Sequence, residues 1–466
     1  MAATVRRHAT DGENLLLTRI FLLTTLLLTA LSPAAMAAER RSFIRDAEVE
    51  NSIRDFATPL FQAAGLDPKA VSIHIIIDPT LNAFVAGGQH MFIHTGLLTR
   101  VENVNQLIGV MAHETGHIAG GHLVRMEGQM ENASTAAIVG MLLGAAVGAA
   151  SGRGDAATAV MAGSQEMAMR NILAYSRAQE SAADQAGLKF LDGTQQSGLG
   201  MLEFMELLGD QELLVSSRQD PYVRTHPLTR DRVAFIREWV DHSAWKDTPA
   251  RPEFVEPFRR MRAKLFAFLE PPVRTFQRYK EGDNSIEARY ARAIAAYRKP
   301  DLATALPLID GLIAERPRDP FFYELKGQML FENARGSEAL EPYRRAVELY
   351  PDSALLEFEL GQVEIEQNDP KLLKAAEYHL TEAVHAEPES SMTWKFLGIV
   401  FGREGDEGMA NYAMAEQAML EGRIPDARFL AGKAETLVPK GTPVWLRIQD
   451  IKSQAAQVQR NQQQRR

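Results

Sequence analysis

The chain has 466 residues and not one cysteine. That absence excludes disulfides, thiolate zinc sites, thioredoxin-type redox chemistry, cysteine-protease chemistry and lipid attachment through a thiol. Any metal must be held by His, Asp and Glu. An excess of basic residues is also missing. Lys and Arg number 51 against 60 Asp and Glu, a net charge of −9, which argues against a nucleic-acid-binding surface. Long hydrophobic runs are scarce, and the two that occur fall short of the ~20 residues needed to cross hydrocarbon. What remains is ordinary globular material, 45% hydrophobic and 24% charged.

The first of those runs is Ile20 to Leu31, broken only by Thr24, Thr25 and Thr29. Arg6, Arg7 and Arg19 precede it, and Ala35-Met36-Ala37-Ala38 follows. A basic start, a short apolar stretch and a small-x-small site describe a cleavable export leader, here residues 1–37. The expected location is therefore the periplasm, where a chain without thiols cannot mispair. The second run covers residues 136–150, is rich in Gly and Ala, and is joined by a Ser151-to-Asp155 turn to a helical pattern over 156–174. A closely packed core hairpin is the favoured reading, with contact to a membrane or a β-barrel as the alternative.

Between the runs, apolar residues at helical spacing (Ile44, Val49, Ile53, Phe56, Leu60) predict a helix within 39–70. Val71 to Ile77 is β-branched and stops at Asp78-Pro79, a strand and turn. Two further strands are expected at Asn82 to Val85 and Met91 to His94, joined through Gly87-Gly88, with a helix over Val101 to Leu123. From Asn284 onward a repeat takes over. Ala293, Gly327 and Gly361 are 34 residues apart and Gly398 follows at 37, while Trp394, Leu397, Gly398 and Phe401 give the W-x-x-L-G-x-x-Y/F opening of a tetratricopeptide repeat. Such helix pairs bury their apolar faces by stacking and leave a concave groove.

The chemistry lies in His113-Glu114-Thr115-Gly116-His117, an H-E-x-x-H sequence on a helix. Residues four apart share a helical face, so both imidazoles can reach one ion, with Glu114 beside them as general base. Zinc suits this ligand type and lowers the pKa of water towards neutrality. His122 falls on another face and reads as packing or support. For the third ligand the candidate is Glu180, on a helix lined with small residues. Asp184 lies one turn later, where it can accept the distal N–H of a ligating histidine.

Strand, H-E-x-x-H helix, small-residue hairpin, Tyr175-Ser-Arg-x-x-Glu180-x-x-Ala-Asp184 and a later Thr225-His226-Pro227 together resemble the gluzincin metallopeptidases that include HtpX and the CAAX prenyl protease. The leader and the repeats narrow the resemblance to the BepA-like β-barrel assembly-enhancing proteases. It implies an α+β, predominantly helical zincin domain with a small sheet, followed by an α-solenoid. The expected boundaries are 38–270 for the metalloprotease, 271–283 for a linker, 284–456 for the repeats and 457–466 for a disordered tail. It implies one zinc ion held by His113, His117 and Glu180, with Glu114 catalytic. Asp184, Arg177 and Arg232 would support the ligands. His226 would gate the site or supply a fourth ligand, and Asn82-Ala83-Phe84 would pair with an extended substrate. The implied work is quality control of outer-membrane proteins, with unfolded β-barrels and the β-barrel assembly machinery as partners. The alternative is a non-proteolytic repeat chaperone or scaffold with a structural metal.

Overall fold

The computed structural model describes residues 43–122, 176–209 and 221–464. The expected leader and the apolar segment 136–174 lie outside them. Helix α1 (Ala47–Ala63) starts at Asp46, whose side chain accepts from the Val49 N–H, and buries the stripe Val49, Ile53, Phe56 and Leu60. Strands β1 (Phe43–Ile44), β2 (Ser72–Ile76), β3 (Ala83–Ala86) and β4 (His90–His94) form one sheet in the order β1-β2-β4-β3.

Strand β4 pairs antiparallel with β3 through the Gly87-Gly88 turn, both glycines at positive φ, and parallel with β2. Ile75, Ala83, Val85, Met91 and Ile93 point into the core, while His74, Phe84, His90 and Phe92 form a half-buried layer on the other face. In place of one helix over Val101 to Leu123, the chain forms a short α2 (Thr95–Arg100), an extended Val101 and then α3 (Val104–Gly120). Asn103 caps α3 by accepting from the Gln106 N–H at 3.0 Å, which fixes where the H-E-x-x-H helix begins.

Four more helices complete this part: α4 over 176–193, α5 (Leu199–Gly209), α6 (Pro221–Thr225) and α7 (Arg230–His242). Together with α8 (Pro252–Leu269) they close one hydrophobic core around β2 to β4, α1 and α3. The expected linker 271–283 contains a helix of its own, α9 (Pro272–Arg278), which has a proline at its first turn, where a missing N–H costs nothing.

The repeats are α10/α11 (Ile286–Arg298, Leu302–Glu315), α12/α13 (Pro320–Phe331, Gly336–Leu349), α14/α15 (Ala354–Glu366, Pro370–Ala386), α16/α17 (Ser391–Glu404, Glu407–Leu420) and α18/α19 (Ile424–Leu437, Pro443–Gln464). The phase-marking residues Ala293, Gly327, Gly361 and Gly398 all fall on the first helix of a pair. The reason is contact: a Cβ on Gly327 would stand 2.6 Å from the Tyr343 ring, and one on Gly361 2.9 Å from Leu380. The tail expected to be disordered from 457 is helical to Gln464. Ile448 and Ile451, in the core cluster of the last repeats, and Ala455 are wholly buried and anchor α19, and the Gln-rich continuation is made of good helix formers.

Candidate metal centre

Two helices build the centre, and small residues let them approach. A Cβ on Gly116 would lie 2.7 Å from the Ala183 carbonyl oxygen, and one on Gly187 3.0 Å from the Ala112 carbonyl carbon. With backbones this close, His113 and His117 on α3 face Glu180 and Asp184 on α4, each pair one turn apart. A third segment enters from α6, whose Tyr222 N–H donates to the Leu81 carbonyl at 3.3 Å beside β3. The His226 N–H donates to the Tyr222 carbonyl at 2.8 Å, and this brings the His226 imidazole over the same point.

Ligand atoms of His113, His117, Glu180 and His226 all lie within 4.8 Å of one another, and all four residues are buried. His113 Nε2 is 3.1 Å from His117 Nε2 and 3.4 Å from His226 Nδ1. Glu180 Oε2 is 3.4 Å from His113 Nε2, and its Oε1 is 3.4 Å from His117 Nε2 and 3.2 Å from His226 Nδ1. Zinc–ligand bonds near 2.0–2.1 Å in a tetrahedron hold neighbouring donor atoms about 3.3–3.4 Å apart. The donor set therefore fits zinc in both chemistry and spacing. Glu114, wholly buried, has both carboxylate oxygens without a protein hydrogen bond, and Oε1 is 3.5 Å from His226 Nε2. A carboxylate placed this way beside the ligand cluster is available to a reacting water.

The supporting groups set the charges. Asp184 Oδ1 lies 2.9 Å from His113 Nδ1, and Arg232 grips the same carboxylate through Nε at 2.6 Å and a terminal nitrogen at 2.8 Å. Arg232 also reaches Glu180 at 3.0 Å and the Pro227 carbonyl at 2.8 Å, tying the His226 segment to both acids. Burial would lift Asp184, but the hydrogen bonds from Arg232 and His113 hold it below the usual carboxylate range. Burial would likewise lift Glu180, and His226, His113 and His117 hold it far below. Burial would depress His113, yet hydrogen bonds to Asp184 and Glu180 raise it to about 10. Burial keeps His117 below the ordinary histidine value in spite of Glu180.

Of the residues expected at the site, His113, Glu114, His117, Glu180, Asp184, His226 and Arg232 come together. Arg177 does not: it is exposed on α4, and the cation beside Asp184 is Arg232, whose own helix points it inward. Asn82, Ala83 and Phe84 lie on β3 or just before it, at an edge of the sheet. One residue was not foreseen. Tyr222 is wholly buried with its ring 4.6 Å from that of His226. Its place one turn before His226 was the available signal, but an aromatic four residues from a histidine is too common to read alone.

Residues 44–240 match Peptidase family M48. The chain is similar to the β-barrel assembly-enhancing protease of Yersinia pestis, 23% identical over 374 residues, which covers 79% of this chain and 75% of that protein. It is also similar to the mitochondrial metalloendopeptidase OMA1 of Schizosaccharomyces pombe, 25% identical over 193 residues, covering 40% of this chain and 52% of that one. Among solved structures, MamA 41-end from Desulfovibrio magneticus RS-1 matches with 21% identity and a TM-score of 0.32, covering 35% of this chain and 94% of that one.

Proposed function

We propose that this chain, which residues 44–240 make a zinc metalloendopeptidase of Peptidase family M48, works in the periplasm on β-barrel proteins of the outer membrane that have failed to assemble. The observation that carries the chemistry is the buried His113–His117–Glu180–His226 cluster with the Glu114 carboxylate against it. His113, His117 and Glu180 would hold zinc, which would supply a Lewis acid to polarise a carbonyl and acidify water. Glu114 removes the proton from the attacking water and returns it to the departing amine as the peptide C–N bond breaks. His226, at hydrogen-bonding distance from Glu180 and beside Glu114, holds the resting enzyme latent and swings aside for substrate. The edge strand β3, reaching from Ala83 to Ala86, would pair with an extended peptide.

The repeats supply binding. Five helix pairs stack from Ile286 to Gln464, and their groove would take an unfolded segment or a component of the β-barrel assembly machinery. The protein named for assembly in Yersinia pestis covers both parts of this chain, which supports a role for the pair acting together. Among the described residues no helix is long and apolar enough to cross a membrane. The test is Glu114→Gln. The variant keeps its zinc and loses about 10²–10⁴ in turnover on an unfolded outer-membrane β-barrel. Cleavage at the parent rate would end this mechanism. Rescue of a deletion strain by the variant, but not by a chain lacking the repeats, would favour a scaffold.

A further inference from the structure

A histidine that binds zinc through one ring nitrogen needs the other held, because that hydrogen bond fixes both tautomer and ring orientation. His113 has Asp184 for this purpose. His117 turns its Nε2 to the cluster, and its Nδ1 lies 3.0 Å from the Nδ1 of His122. We propose that His122 is the positioning residue of His117: its Nδ1 lone pair accepts the His117 Nδ1–H and leaves Nε2 of His117 bare for the metal. The proposal rests on the zinc reading of the centre. It makes His122 the tautomer protonated on Nε2, since the reverse donation would put the proton of His117 on its ligating nitrogen.

The local chain is shaped for this contact. Helix α3 ends at Gly121, which adopts the left-handed conformation at φ +59° and donates its N–H to the Ile118 carbonyl at 3.0 Å. The turn folds His122 back across the last turn of its own helix, where it is buried. A Cβ on Gly120 would meet the His122 ring at 2.4 Å from Nε2, 2.7 Å from Cδ2 and 2.8 Å from Cε1, so only glycine leaves room for the imidazole. The His122 carbonyl accepts from Gln179 Nε2 at 2.8 Å. Gln179 directly precedes Glu180, so the helix that carries the third ligand also pins the support of the second. The two ring supports differ in kind: Asp184 is a carboxylate gripped by Arg232, whereas His122 is an imidazole.

The experiment measures zinc affinity of the full chain by competition with a fluorescent chelator, after the metal has been stripped and the fold of each metal-free variant checked by circular dichroism. His122→Leu, which cannot accept, should bind zinc 10–100-fold more weakly than the parent. His122→Asn, whose side-chain oxygen can occupy the place of Nδ1, should stay within about threefold of the parent, well short of that loss. Gly120→Ala, which displaces the ring without touching a ligand, should weaken binding as His122→Leu does. If the leucine variant does not fold, Gly120→Ala against His122→Asn carries the comparison. Parent-like affinity in both His122→Leu and Gly120→Ala overturns the proposal, as does equal loss in His122→Asn and His122→Leu, which would make His122 mere packing. A parent chain that takes up no zinc overturns the metal-centre reading itself, so the two failures are distinct.

Discussion

Arg232→Met is the sharpest probe of how the centre is held. The guanidinium makes two bonds to Asp184, at 2.6 and 2.8 Å, one to Glu180 at 3.0 Å and one to the Pro227 carbonyl at 2.8 Å. Methionine has similar bulk, so packing changes little, but two carboxylates 0% and 4% exposed lose their cation. Removing one partner of a buried ion pair costs about 3–5 kcal/mol, because the other charge stays behind without compensation. For a domain of this size each kcal/mol moves the melting temperature by roughly 2–4 °C, so the protease transition in scanning calorimetry should fall by roughly 6–20 °C. Arg237→Met is the control. Its ion pair with Glu206 is as short, 2.6 Å, but about half-exposed on both sides, and such pairs contribute about 0–1 kcal/mol. Adding Asp184→Asn to Arg232→Met should restore part of the loss by neutralising the stranded acid. A shift for Arg232→Met no larger than the control's would refute the reasoning, and a double variant that melts lower still would place the cost in packing.

Three further outcomes are expected. Gly116→Ala must push α3 from α4, because its Cβ meets the Ala183 backbone at 2.7 Å; overpacking of this kind costs about 1–3 kcal/mol, and misplacing Glu180 by an ångström lowers turnover on the order of 10²-fold, so parent-like turnover would contradict the close crossing. His226→Ala should raise cleavage of an unfolded β-barrel and of the chain itself, and unchanged rates of both would remove the latch. Glu324 sits in a buried cluster where burial, with Asp46 and Glu48 against Lys264, pushes its carboxyl up to about 7; the folded state then takes up a proton as pH falls from 7 while the unfolded chain stays ionised until about 4.5, so the group stabilises the fold most below 4.5 and this is lost as pH rises through 7. Glu324→Gln should therefore flatten the pH 5-to-8 change in melting temperature relative to the parent, and an identical change in both would refute it.

The sequence made the centre legible where chemistry and local geometry coincide. His113 and His117 share a face by spacing alone, and Glu180 and Asp184 repeat the same four-residue step on a helix whose small residues turned out to be the crossing itself. The cation was harder. Arg177 and Arg232 were both candidates: Arg177 shares a face with Glu180 by spacing but is exposed in the first turn of α4, whereas α7 points Arg232 inward onto Asp184. Strand β4 pairs with both β2 and β3, a parallel contact that no local pattern announces, because its partner is separated by the β3 hairpin. The tail shows the converse failure: from 457 its polar, basic composition reads as disorder, yet it continues to Gln464 the helix that Ile448, Ile451 and Ala455 bury.

The buried charges between the protease helices and the repeats were invisible for a different reason. Glu48, Arg260 and Lys264 sit on amphipathic helices, where a charge normally faces water, and Glu324 on α12, yet all are nearly inaccessible. Lys264 lies 2.9 Å from Asp46, 3.3 Å from Glu48 and 3.1 Å from Glu324, Arg260 pairs with Glu48 and Asp319, and Tyr290 donates to Glu48 at 2.7 Å. These groups come from α1 and its cap, α8, α10 and α12, so the network crosses from the protease core into the first two repeats. An apolar interface of the same area would be at least as stable, since burying ions roughly cancels their attraction. What ions add is registry: a cation shared by three carboxylates has one satisfied arrangement, whereas apolar faces tolerate sliding. Helix α1 packs in the same core as α3, which carries His113 and His117. A segment held in the repeat groove would then lie at a fixed distance from the zinc ligands. Under the proposed function, the repeats would then select what reaches Glu114 as well as capture it.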